Sequence, residues 1–173
     1  MLVELLRTRR SIRKFEQRPV EKEKLDQIVE AALRAPSSRG FNPWHFVVVA
    51  DPEMLGNLSK AKPHGAAFLK NAPLAVVVCA DPAVSDVWVE DASIASIIVH
   101  LAATDLGLGS CWIQIRKRPH ESGTSAGEHI AGLLKLPENL EVESIVAIGY
   151  AAEEKKGHAE ESLQREKVSF ETY

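Results

Sequence analysis

The chain of 173 residues is expected to fold as α+β, with a mixed sheet wrapped by helices. Three observations lead there. Apolar runs of strand length are interspersed with segments of helical periodicity, and the helices outnumber what a strict βαβ alternation would use. Residues 74–80 are nearly all apolar, the pattern of a strand covered on both faces. Residues 87–106 carry apolar side chains round most of a helix circumference, so that helix must be buried, either inside the domain or against a second subunit.

Taken from the start, Leu2, Val3, Leu5 and Leu6 mark a short helix ending near Arg9 and Arg10, where cations complement the dipole. Residues 11–15 read as extended, which sets Arg9, Ser11 and Arg13 on one side. Pro19 breaks the chain, and Leu25, Ile28, Val29, Ala32 and Leu33 give residues 21–35 a helical face. Residues 36–43 form a polar loop with turn chemistry at both ends. Residues 44–50, aromatic and β-branched, are a strand that Asp51-Pro52 closes. A short helix over 53–61 and a helical turn around 67–70 precede the strand at 74–80. After the long helix, Gly107 suits a C-cap and residues 110–115 a strand. Residues 116–127 read as a polar, mobile loop, 128–134 as a helix stopped by Pro137, and 142–150 as the last strand. The tail is polar and charged until Val168 and Phe170, which suggest a short strand docked on another surface.

The length fits one domain over residues 1–173 with a substantial core. Lys plus Arg number 21 and Asp plus Glu 24, a net charge of −3. No global basic field for nucleic acid exists. No apolar run approaches the roughly 18 residues that span a membrane, and the charged start does not look like a leader, so a cytoplasmic location is expected. Cys79 and Cys111 lie in no CxxC pair and look like small core residues. The six histidines form no HExxH arrangement.

Against this background residues 8–15 stand out, with Arg9, Arg10, Arg13, Lys14 and a serine crowded together. Such a cluster is either a solvated helix end or an anion site, where guanidinium forks would take a phosphate. The loop at 36–42 offers hydroxyls and an amide between fixed elements, as an ordinary connection or a binding loop. Gly107-Leu108-Gly109-Ser110-Cys111-Trp112 has Trp112 where a dinucleotide fingerprint needs its third glycine, and it follows a helix, so that reading fails. Gly109 can still bring bare backbone close to a planar ligand.

Residues 9–15, Ala35-Pro36-Ser37-Ser38 with Asn42-Pro43-Trp44-His45-Phe46, Ala72-Pro73, and residues 105–112, in this order and spacing, resemble the FMN-dependent nitroreductase family over most of the chain. The resemblance implies a mainly antiparallel sheet in an intertwined homodimer with two flavins at the interface. Electrons would pass from NADH or NADPH to a nitroaromatic, quinone or similar small acceptor. It implies that Arg9, Ser11 and Arg13, with Arg10 adjacent, hold the FMN phosphate and ribityl chain. Pro36, Ser37, Ser38 and Asn42 would approach from the partner subunit, Leu108 and Gly109 would lie at the flavin ring, and Arg165 or Lys167 would complete the phosphate site. No catalytic side chain is expected, because the cofactor carries the chemistry. The chain departs from the family's pattern at Gly40, often Asn, and at Asn42, often Gln. The usual polar pair is missing from residues 64–70, with His64 or Lys70 as substitutes, and the insertion shaping the substrate channel is small or absent. A flavin-cleaving or reductive dehalogenating relative, and a flavin-binding protein with little turnover, are the alternatives.

Overall fold

The computed structural model describes residues 1–173. Four strands, β1 (Trp44–Val49), β2 (Leu74–Ala80), β3 (Gly109–Gln114) and β4 (Glu141–Gly149), form one sheet in the order β1-β2-β4-β3. Every neighbouring pair is antiparallel. All seven residues of β2 are buried, as the apolar run demanded. Their alternation splits the core in two. Ala75, Val77 and Cys79 pack with Leu55, Leu58, Leu69 and Ile130, whereas Leu74, Val76, Val78 and Ala80 pack with Ile28, Ala92 and Val99.

Five α-helices cover these faces: α1 (Leu2–Thr8), α2 (Lys22–Leu33), α3 (Pro52–Leu58), α4 (Trp88–Asp105) and α5 (Ala126–Leu134). Asp51 caps α3 by accepting from the Met54 N–H at 2.8 Å, with Pro52 in the first turn, where a missing N–H costs nothing. Ser125 and Glu128 form a reciprocal capping box that starts α5 two residues before the expected 128. Cys79 and Cys111 are free and buried, and burial pushes the Cys79 thiol up to about 12. No helix is long and apolar enough to cross a membrane.

Two expectations need correction, and a third is refined. Residues 116–127 are a bonded hairpin-like turn in which His120 donates its N–H to the Thr124 carbonyl at 2.9 Å, Pro119 bridges Ser125, and the His120 ring stacks on His129. The tail forms no strand at Val168 and Phe170; it makes short 3₁₀ turns at Glu160–Ser162 and Arg165–Lys167 and leaves Phe170 exposed, because no sheet edge of this chain reaches it. Within this chain the long helix α4 is buried on one side only, as its second-subunit alternative allows. Ile94 and Ile97 are 40% and 43% exposed, while Asp91, Ser96 and His100 are turned inward. The sheet explains this inversion, since β3 and β4 present hydroxyls and a carboxyl to α4: Ser96 Oγ meets Ser144 Oγ at 2.8 Å, and Ser93 Oγ reaches Glu143 Oε1 at 3.4 Å.

Candidate functional site

The basic segment is strapped along the β3 edge of the sheet. Ser11 makes a parallel bridge to Ser110, the Ile12 N–H donates to the Ser110 carbonyl at 2.9 Å, and Phe15 bridges Ala151. Ile12 and Phe15 anchor it by entering the core. Gly109 makes that close approach feasible, because a Cβ there would lie 2.9 Å from Ile12 Cγ2. The bare backbone at Gly109 thus accommodates the strap itself. Leu108 is buried, and its N–H donates to the Ala103 carbonyl at 2.8 Å, so that amide is not free for a ligand.

Arg9 turns to His100 on α4, whereas Arg13 lies over the Phe68 ring, 5.8 Å from its centroid. Burial raises the pKa of the Cys111 thiol, while Arg13, the Ser11 hydroxyl, Lys155 and Arg9 pull the other way. Lys155 was not foreseen: its Nζ donates to the Ser11 carbonyl at 2.8 Å and pairs with Glu153 at 3.0 Å. Glu153 braces the strap, accepting from the Arg13 and Lys14 N–H groups at 2.6 and 3.2 Å, and those bonds hold its carboxyl below the usual range. Arg10 turns aside to the Lys156 carbonyl, and Lys14 is exposed. Arg165 pairs with Glu160 at 2.8 Å, and neither it nor Lys167 bonds to the strap. His64 and Lys70 are exposed, whereas Lys62 donates to the Gln114 carbonyl at the end of β3 at 2.8 Å, and burial lowers its pKa.

At the opposite edge, residues 36–42 lead into β1. Ser37 Oγ donates to Asn42 Oδ1 at 2.7 Å and accepts from the Asn42 N–H at 2.8 Å, closing the loop on itself. Asn42 and Arg39 both have positive φ, 50° and 53°, which asparagine tolerates better than arginine. Buried Asp91, in the first turn of α4, fixes this loop by accepting from the Ser38 N–H at 2.7 Å and the Ser85 hydroxyl at 3.0 Å. Pro36 is exposed, and the indole N–H of Trp44 is buried without a partner at the loop's root. A cavity of about 390 Å³ opens between α4 and β3, lined by Ser93, Ser96, Ile97, His100 and Trp112.

Sequence reading therefore missed Lys155, Lys62, Asp91 and His100. A signal existed for the last: Ser93, Ser96, His100 and Thr104 recur at helical spacing, a polar stripe on an apolar helix. Lys155 stands in a run of mixed charge that carries no pattern.

The nitroreductase family profile matches residues 6–150, and the chain belongs to the nitroreductase family. Among solved structures, an FMN-dependent nitroreductase from Clostridium difficile R20291 superposes with a TM-score of 0.97 at 50% identity, covering 99% of both chains. A protein of Archaeoglobus fulgidus with the provisional name NADH dehydrogenase/NAD(P)H nitroreductase is 43% identical over 157 residues, 88% of this chain and 87% of its own length. Over 51 residues, 30% of this chain and 18% of the relative, there is also 51% identity to iodotyrosine deiodinase 1 of Rattus norvegicus.

Proposed function

We propose that this chain is an FMN-dependent NAD(P)H oxidoreductase whose cofactor phosphate sits on Arg9, Ser11, Arg13 and Lys155. The observation that carries the reading is charge left uncompensated. Arg7, Arg18, Arg34 and Arg165 each pair with a glutamate and Lys155 with Glu153, but Arg9 and Arg13, like Arg10, Arg39, Arg116 and Arg118, pair with no carboxylate. Of these, Arg9 and Arg13 are the two whose charge is felt, with the Ser11 hydroxyl, at Cys111. In a chain of net charge −3, two such guanidiniums flanking a hydroxyl fit a dianion. The donor set thus suits the FMN phosphate, and the family and its FMN-dependent member support that ligand.

Held by these residues, FMN would supply the redox chemistry that links NADH or NADPH to a nitroaromatic, quinone or similar acceptor. The protein's own residues position and tune. Arg9, Arg13 and Lys155 hold negative charge at the β3 edge, and Lys62 brings a further cation to the end of that strand.

The loop at 36–42 serves the same ligand from a second copy. Trp44 pairs with Ala80 and Ala80 with Glu141, whereas Ser110 pairs with Ile148, so the loop and the strap occupy diagonally opposite corners of the sheet. That separation is roughly 19 Å across the strands and roughly 23 Å along them. Exposed Ile94 and Ile97 on α4, α1 with no buried residue, and the uncovered tail supply the apolar surface of such a homodimer. The two cores share one sheet, which suits a single FMN-binding domain over residues 1–173.

Anaerobic stopped-flow mixing of the FMN-loaded protein with NADH and NADPH tests the activity. Bleaching of the flavin absorbance by one of them, followed by recovery on adding a nitroaromatic or quinone, is expected; a flavin that neither donor bleaches refutes it. The deiodinase likeness motivates reductive dehalogenation as a second reading. Iodide release from iodotyrosine by the reduced protein, without turnover of quinones, would favour it.

A further inference from the structure

Arg9 is oriented by a histidine. Its Nη1 lies 2.9 Å from Nε2 of His100, a residue only 4% exposed on the inner face of α4. A guanidinium has donors and no acceptor, so Nε2 must offer a lone pair and the ring proton must sit on Nδ1. Nδ1 faces the Ser110 hydroxyl and donates to it. The hydroxyl hydrogen is then free for the His100 carbonyl, 3.3 Å away. One direction of donation, from Arg9 to the ring, from the ring to Ser110 and from Ser110 back to the helix, satisfies every polar atom. Ser110 is also the β3 residue to which the strap is bonded through Ser11 and Ile12. The ring and the strap therefore share one anchor.

We propose that His100 is a positioning residue for the phosphate grip, holding one edge of the Arg9 guanidinium so that its remaining N–H groups face the anion. The proposal rests on the assignment of Arg9 to the FMN phosphate. The choice of partner has a physical logic. A carboxylate would orient the guanidinium equally well, as glutamates do for Arg7, Arg18, Arg34 and Arg165, but it would cancel the charge that the phosphate needs. A neutral imidazole orients without cancelling. Burial, helped by the charge of Arg9, pushes the His100 pKa down to about 4, so the ring is neutral wherever the protein works near neutral pH. Ser110 fixes the tautomer, as a hydrogen bond to the second ring nitrogen commonly does.

Fluorescence titration of the apoprotein with FMN and, in parallel, with riboflavin separates this role from general damage, because riboflavin has the same ring system and no phosphate. His100→Phe is expected to weaken FMN about 10-fold, on the scale of one charge-assisted hydrogen bond, and to leave riboflavin unchanged. His100→Gln, whose side-chain carbonyl can accept from Arg9, is expected to recover most of the loss. Ser110→Ala, which frees the ring to adopt the wrong tautomer, should fall between them and serves if His100→Phe does not fold. The double variant Arg9→Ala/His100→Phe should be no weaker than Arg9→Ala alone. Equal losses for FMN and riboflavin, or no recovery in His100→Gln, would overturn the positioning role. An FMN affinity lost in Arg9→Ala but intact in His100→Phe would overturn it while sparing the phosphate site. An FMN affinity unchanged in Arg9→Ala itself would refute the phosphate site, and the role of His100 with it.

Discussion

The strap at residues 9–15 and the loop at residues 36–42 are the two halves of the candidate site, and they are held in different ways. The strap is tied to β3 by main-chain bonds, two core side chains and Glu153, so several independent contacts fix its path. The loop depends on side chains: Ser37 and Asn42 close it, and the Asp91 carboxylate pins it to α4. Both halves meet α4, at Asp91 and at His100, nine residues or about 14 Å apart along its axis. One helix thus touches both halves, with a carboxylate that accepts from the Ser38 N–H and an imidazole that accepts from the Arg9 guanidinium. A rigid half and an adjustable half at opposite corners suit a ligand held between two copies.

Breaking the assembly should have the largest effect. The double substitution Ile94→Glu/Ile97→Glu changes only exposed positions of α4 to good helix formers, and it is expected to give a folded monomer by light scattering. FMN affinity should then collapse on the order of 100-fold, about 2.7 kcal/mol. A monomer that binds FMN normally would mean that one chain carries both halves.

Asp91→Ala comes next, because it strands the Ser38 N–H and the Ser85 hydroxyl. A stability loss of about 3 kcal/mol in urea unfolding is expected, with loosening confined to residues 36–42 in hydrogen exchange. Protection lost along residues 9–15 as well would show that the strap depends on Asp91 through α4 and is not held by its own bonds to β3 and Glu153.

The strap half should also show a pH signature. The His100 pKa in the folded protein, about 4, lies below its ordinary value near 6.5. The unfolded chain therefore binds the extra proton first as pH falls. This contribution to stability is fully present above pH about 6.5 and is lost progressively toward pH about 4, by on the order of 3 kcal/mol. Urea titrations across that window should show the slope in the wild type and a weaker one in His100→Gln; identical slopes would show that the ring does not titrate as described. The smallest effect sharpens the strap's composition: Lys155→Ala should weaken FMN by about 1.5 kcal/mol, with Arg165→Ala within error of the wild type. The reverse ranking would return the phosphate site to the tail's 3₁₀ turn.

Much of this molecule is dictated by local pattern. The double-faced burial of β2, the turn at Gly107 and the burial of both cysteines all follow from period and residue type, because strands and caps obey rules that span only a few positions. The order and spacing of the motifs likewise carried the family, whose profile matches residues 6–150. Tertiary structure alone decided which way α4 faces, since an apolar helix with a few polar members turns them toward whatever hydroxyls and carboxyls the sheet presents. It also chose Lys155 over Arg165 and Lys167 as the cation beside Ser11, and it paired Arg9 with His100 across 91 positions of sequence. Hydrogen bonds between distant residues leave no periodicity behind, and only the packed sheet and helix bring their donors and acceptors together.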